Sequence, residues 1–502
     1  MLPATRTVAR RALRPPAPPR RVPQLHITRL YSQYNYHHQY QAPNQPRHSW
    51  LPRILASLVV LSAIGGYSFY MFWPHHTFPS SVAKILRKGL WAESDKGEND
   101  YQLALKHYLE ALDECNNVGV DKLSDEYTGI QLKVGEMFER LNMLQDAAFV
   151  YNEIGTLYLT VLTAPADSPQ HKRIRDRDHR RHLIQKDLRI AIKLVELNRN
   201  DPNLSKAILL THLIIAQDEV NRQLKANGSP AGATPPNDYR ATVENDSIVL
   251  TNNGVTTTIK KTPEVWEPFA DEFFNAMDLL GAICIQIGDL AMASRVKISM
   301  TEAMLLADAE PHKILMSQCN LGSLLYLQAD EFEAQEVALR RKFAESAGLQ
   351  YEQVKTEDLL GQNKQAQEVL EQGVSDEEKI LYANTISSKN KCIQLATKSF
   401  ESVLDFARGL PVDVANSNGN INQTVALATY GLGVVHLHLA EYEKAERLLR
   451  ESRVRSKSCG YDELIGEIER ELGKLFKEKK NLKEGKEGKD KGPIQMDIHL
   501  KK

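Results

Sequence analysis

Residues 130–151 read IQLKVGEMFERLNMLQDAAFVY, and their spacing decides the fold. Ile130, Val134, Phe138 and Leu141 recur at helical intervals on one face. Val134-Gly135 sets a large residue beside a small one, Ala147 follows twelve positions after Gly135, and Tyr151 comes four later. A small residue on each of two successive helices lets their backbones approach closely, so the stretch predicts an antiparallel helix pair. The spacing returns at Leu280-Gly281 with Ala293, at Leu321-Gly322 with Ala334, and at Leu432-Gly433 with Ala445 and Leu449. A looser copy is Trp91-Ala92 with Ala104 and Tyr108. Residues 182–224 predict one more pair, with Asp201-Pro202 at the turn and Ala207 at the small position.

Helix pairs with this pattern resemble the tetratricopeptide repeat, whose period is about 34 residues. The expected fold is all-α, a tetratricopeptide-like helical solenoid preceded by one transmembrane helix and carrying a small inserted β-hairpin. Repeats are expected over residues 80–224 and 269–473. Between them, residues 225–268 contain GSPAGATPPND and two β-branched runs around Asn253-Gly254, which predict a loop insertion with a hairpin. Residues 474–502 are dense in Lys and Glu and predict a charged tail that begins as a solvated helix.

The amino-terminal part has a different composition. The net charge of the 502-residue chain is −1, yet no acidic residue precedes Glu93. Residues 1–30 are rich in arginine and free of acidic residues, the composition of a mitochondrial presequence. Residues 31–53 read as a disordered linker. Residues 54–73, ILASLVVLSAIGGYSFYMFW, hold no charged residue or histidine and match the roughly 30 Å hydrocarbon thickness of a bilayer. The basic leader places the amino terminus inside, which in an inner mitochondrial membrane is the matrix, and leaves the repeats in the intermembrane space. Ser62 and Gly66, spaced small-xxx-small, offer a face for a partner transmembrane helix.

Motifs of catalysis are missing: there is no GxxxxGK[ST], HExxH or GxSxG. Gly431-Leu-Gly433 begins like a dinucleotide fingerprint, but His436 takes the third glycine position and no strand precedes it. The five cysteines are scattered, so neither a zinc site nor a disulfide framework is expected. HKRIRDRDHRRH at 171–182 reads as a salt-bridged helix start, and Asp176 and Asp178 dilute the charge that a nucleic-acid patch would need. No enzyme activity, cofactor, metal or nucleic-acid partner is expected; a hydrolase or transferase would need a clustered nucleophile, base or metal set that the chain does not display.

The junction FPSSVAKILRKGLWAESDKGENDYQLALKHYLEAL at 78–112, the basic leader and the repeats together resemble the tetratricopeptide adaptor subunit of the fungal mitochondrial inner-membrane i-AAA protease complex. The resemblance implies a non-enzymatic, membrane-anchored adaptor that binds unfolded or membrane protein substrates in mitochondrial protein quality control. Its implied partners are the membrane AAA protease, a second adaptor subunit and unfolded substrates; a scaffold for respiratory-complex assembly is the alternative. In the geometry of such repeats the first helices line a groove. This places Glu136, Glu139 and Arg140, then Asn275, Asp278 and Gln286, then Met316 and Tyr326, then Tyr430 and His438 as groove residues. The Lys and Asn that clamp a chaperone tail in such repeats are absent at Leu132/Glu136, Asp278/Ala282, Cys319/Ser323 and Tyr430/Val434.

Overall fold

The computed structural model describes residues 77–226, 240–243, 247–252, 255–346, 375–411, 413–414 and 418–483. The expected presequence, linker, span with Ser62 and Gly66, and the end of the tail lie outside these residues.

Helices run in antiparallel pairs. The first pair is α1 (Ser80–Glu93) and α2 (Tyr101–Val118), the second α3 (Asp125–Arg140) and α4 (Leu144–Leu162), the third α5 (Arg177–Leu197) and α6 (Pro202–Ala226). Then come α7 (Ala270–Gln286) with α8 (Leu290–Leu306), α9 (Pro311–Ser346) with α10 (Asp376–Gly409), and α11 (Gly419–His438) with α12 (Tyr442–Ser458). A last helix, α13 (Asp462–Lys483), lays Leu464, Ile468, Leu472 and Leu475 on the final pair. Side chains mark several starts: Asp100 accepts from the amides of Gln102 and Leu103, Ser124 from Tyr127, Asp289 from Met292, and Ser375 forms a capping box with Glu378.

The turn within a pair has its own periodicity. Asn99, Asn142, Gly288 and Ala440 have φ of 50°, 58°, 79° and 59°. Each lies seven positions after the small residue of its first helix, Ala92, Gly135, Gly281 or Gly433. At the following small positions Ala104, Ala147, Ala293 and Ala445 are fully buried. A Cβ on Gly135 would lie 2.6 Å from the Tyr151 ring, and one on Gly433 would lie 2.9 Å from Leu449.

The Gly322 segment departs from this pattern. Its Ala334 lies on the same helix, α9, and is exposed, so Gly322 and Ala334 do not form the predicted pair. Ala329 occupies the turn position but is helical. The helix continues because α10 covers it: Leu339 and Phe343 of α9 pack with Tyr382 and Ile386, and Glu336 and Lys342 pair with Lys389 and Glu378. Gly322 instead faces Phe400 of α10. In the third pair Asp201 does cap α6, but Ala207 is exposed and Ser205 is the buried small residue.

Ala440 holds a left-handed conformation that costs an L-residue about 1–2 kcal/mol. Ala440→Gly is therefore expected to stabilise α11–α12 by about 1 kcal/mol, whereas Ala329→Gly within α9 should destabilise by a similar amount. Chemical denaturation of the two variants checks the opposite signs.

The segment between α6 and α7 carries three strands, β1 (Arg240–Val243), β2 (Ser247–Asn252) and β3 (Val255–Lys260), in an antiparallel sheet of order β1-β2-β3. The register pairs Arg240 with Thr251 and Asn252 with Val255. Two expected boundaries shift. Val265 and Trp266 are buried against Phe273 and Phe274, so the core resumes before residue 269. Leu475 is fully buried, so residues 474–483 belong to the closing helix rather than to a tail.

Candidate functional site

The predicted groove residues divide into three groups. Glu136, Glu139 and Arg140 join neighbouring helices. Glu136 pairs with Lys133 at 2.9 Å and with Arg140 at 3.1 Å; burial would raise its carboxyl pKa, but these two partners outweigh burial and hold it low. Lys133 reaches on to Glu93, which accepts from the Tyr108 hydroxyl at 2.6 Å. Glu139 accepts from the Tyr151 hydroxyl at 2.6 Å and pairs with Lys193 of α5. The Arg140 guanidinium sits over the Tyr101 ring at 5.2 Å. These charges fix one pair against the next.

Tyr326, Tyr430 and His438 are placed elsewhere than in an open groove. Tyr326 is 3% exposed, and its hydroxyl bonds His438 Nδ1 at 2.9 Å with the two rings edge to face. Burial, followed by the charges of Asp330, Glu333 and Glu471, drives the Tyr326 phenol well above its usual range. Tyr430 packs into the cluster that α13 closes. The closing helix and the α9–α11 contact take these three side chains out of the set.

Asn275, Asp278 and Met316 do come together. They line a cavity of about 590 Å³ between α7, α8 and α9, with Asn420 of α11 at one side. Gln286, exposed near the end of α7, lies outside it. Helical spacing explains the arrangement: Ala270, Phe274 and Asp278 recur every four residues on α7, and Met300, Met304 and Asp308 do so across the end of α8. Phe274 is held from beneath by Trp266, the rings stacked at 5.7 Å. The floor is thus Phe274 and three methionines, Met300, Met304 and Met316.

The rim is acidic: Asp271, Asp278, Asp308 and Glu310 line it, against Lys313 and His312. Lys313 lies 3.2 Å from Asp271 and 3.8 Å from Glu310, while Lys261 pairs with Asp308 and Lys297 with Asp278 from just outside. Asp271 keeps 81% of its side chain exposed and Glu310 63%. A polarizable, unbranched floor adapts to irregular apolar side chains, and the four rim carboxylates, set against Lys313, Lys261 and Lys297, leave a small excess of negative charge beside it. Met300, Met304, Asp271 and Glu310 were not among the predicted residues. Met300 and Met304 belong to a second helix, and their only signal in the sequence is an i, i+4 methionine pair.

Comparison with known proteins places this region. The family model described as the MGR3 middle domain matches residues 165–309, which span α5 to α8 and the cavity residues up to Ala309. The chain is 34% identical over 457 residues to the mitochondrial inner membrane i-AAA protease supercomplex subunit MGR3 of Saccharomyces cerevisiae, covering 86% of this chain and 84% of that protein. It is 29% identical over 460 residues to the protein named MRG3-like of the same yeast, covering 86% and 89%. Among solved structures, a circular tandem repeat protein and yeast Tom70 align over 80% and 81% of the chain (91% and 99% of theirs), each at 12% identity, with TM-scores of 0.23 and 0.12. The chain belongs to the MGR3 family, the family of the mitochondrial inner membrane i-AAA protease supercomplex subunit.

Proposed function

We propose that the protein is a non-enzymatic adaptor of an inner-membrane i-AAA protease, anchored by residues 54–73 with its repeats in the intermembrane space. In this reading the cavity between α7, α8 and α9 holds segments of unfolded or membrane proteins and presents them to the protease. The observation that carries the reading is the methionine floor under an acidic rim, in a chain whose relative MGR3 is named as a subunit of the i-AAA supercomplex. An unfolded segment would place an apolar side chain on Phe274, Met300, Met304 and Met316, with a flanking Lys or Arg at Asp271 and Glu310. Such contacts are individually weak and adaptable, which suits a subunit that must release what it binds. A second adaptor subunit fits the same assembly, with the Ser62 and Gly66 face as its expected contact in the membrane.

The test uses the full chain and a permanently unfolded polypeptide rich in Lys and apolar residues. Asp271→Lys with Glu310→Lys is expected to weaken its binding roughly tenfold, at about 0.5–1 kcal/mol per reversed charge. Unchanged affinity, with helical content intact, would remove the cavity from the reading. Gentle solubilisation and capture of the chain should recover an AAA protease; recovery of respiratory-complex subunits alone would replace the adaptor by an assembly scaffold.

A further inference from the structure

The outer face of α1 carries a stripe of cations that ends on an indole. Lys84, Arg87, Lys88 and Trp91 recur at i, i+3, i+4 and i+7, so they form one stripe along this 14-residue helix. All four are exposed, Trp91 by 58%, and Leu90 at the flank of the stripe is 48% exposed. The buried side of α1 is occupied by Val82, Ala83, Gly89 and Ala92, and Gly89 lies against the Tyr108 ring. The helix is therefore docked on α2 and cannot turn its stripe inward.

Lys84, Arg87 and Lys88 make the first three positions of the stripe basic, while the turn that closes on Trp91, where the Glu98 amide donates to the Trp91 carbonyl at 3.3 Å, carries exposed Asp95, Lys96 and Glu98. Among the described residues none of Lys84, Arg87 and Lys88 is ion-paired. Glu93, the sole acid of α1, is engaged by Lys133 and Tyr108. From α2, Lys106 is exposed and adds charge of the same sign. Glu110 is the acid that feels Lys88, and it is hydrogen-bonded to His107 at 3.0 Å. An exposed tryptophan and leucine beside unpaired cations is the composition of a surface that seats in a headgroup layer, where an indole prefers the interface and each cation gains about 1 kcal/mol from anionic lipid. In sequence, six residues (74–79) separate the expected span from Ser80, a link of at most about 25 Å when fully extended.

We propose that the Lys84–Arg87–Lys88–Trp91 face of α1 docks on the bilayer surface by binding anionic phospholipid headgroups, with Trp91 and Leu90 inserted at the interface. The docked helix brings the first helix pair to the bilayer surface. It is independent of what the cavity binds.

The test reconstitutes the full chain in lipid nanodiscs of phosphatidylcholine alone or mixed with phosphatidylglycerol, with and without bromine on the upper acyl carbons. The chain has four tryptophans, so the Trp91 signal is taken as the difference between the native chain and Trp91→Phe. In anionic discs the brominated lipid should quench most of that difference. In phosphatidylcholine discs, or with Lys84→Glu, Arg87→Glu and Lys88→Glu together, the quenching should be lost, because removing three cations shifts the docked equilibrium by on the order of a hundredfold. Trp50, just before the expected span, and Trp73, its last residue, report insertion separately through their own Phe variants. Their quenching without quenching of Trp91 overturns the docking and leaves the anchor standing; quenching of Trp91 that ignores both lipid charge and the triple reversal overturns the role of the basic stripe.

Discussion

Phe400→Ala is expected to destabilise the α9–α11 region by about 3–5 kcal/mol. Phe400 is 2% exposed, and two helices come to it backbone first. A Cβ on Gly322 of α9 would lie 2.8 Å from its ring, and one on Gly431 of α11 would lie 2.6 Å away. The ring therefore fills a slot that exists because both facing positions are glycine. Truncation leaves a void that neither glycine can fill, and two neighbouring helices lose their shared contact at once. The reverse change tests the same geometry. Gly431→Ala should overpack the slot and cost about 1–3 kcal/mol, and combining it with Phe400→Leu should recover part of that loss. Amide exchange across α9, α10 and α11 reads these effects locally, which suits a stacked array whose segments open separately. Additive losses in the double variant would show that Gly431 and Phe400 do not share a slot.

The same slot explains the Gly431-Leu-Gly433 fragment. Gly431 faces Phe400 of α10, and Gly433 faces Leu449 of α12. Two glycines one residue apart point to different neighbours, so α11 is approached closely from both sides. In the sequence, the Leu432-Gly433 spacing with Ala445 and Leu449 marks Gly433 as a small packing position, whereas the approach of Gly431 to Phe400 has no counterpart in that spacing.

How far the fold could be read depended on local rules. Gly135, Gly281 and Gly433, with Ala92 in the first pair, each announce a buried small residue twelve positions on and a left-handed turn residue in between. Gly322 obeys the same pattern and fails, because Ala329 and Ala440 are the same residue type in similar surroundings. Only the partner tells them apart: the long α10 gives Leu339 and Phe343 something to bury against, so α9 continues. That decision is made tens of residues away in sequence. Of the groove residues that the repeat resemblance implies, Asn275, Asp278 and Met316 line one cavity, whereas Tyr326, Tyr430 and His438 are taken up by contacts between distant helices. Methionines on α8 escaped because a second helix was not expected to line a groove.

Glu219→Ala should produce a loss of similar size, about 3–5 kcal/mol, in the α5–α6 pair. Arg180 and Glu219 are buried and paired at 2.9 Å, and Arg180 also donates to the Leu162 carbonyl at 3.1 Å. Glu219 accepts from Gln223 at 2.9 Å and from Arg222 at 3.0 Å. Alanine leaves the Arg180 guanidinium in the interior with one carbonyl and no counter-charge. Replacing the pair together, Arg180→Met with Glu219→Leu, should restore most of the stability, since much of the single-variant loss is the unmatched charge. Titration gives an independent check. Burial would raise the Glu219 carboxyl pKa, but the hydrogen bonds from Gln223 and Arg180 outweigh it and hold the carboxyl below its usual range. A depressed folded value means that the pair stabilises above the unfolded carboxyl value of about 4.3 and that this stabilisation is lost as the pH falls through the folded one. The native α5–α6 amides should lose protection in that acid window, and Glu219→Gln, already weaker at neutral pH, should lose less. The effect reaches the cavity because α6 packs on α7, the helix that carries Phe274, Asn275 and Asp278. If Glu219→Ala loosened α5 and α6 while exchange in α7 stayed at its native rate, the ion pair would be local to its own helices and would not hold the cavity wall.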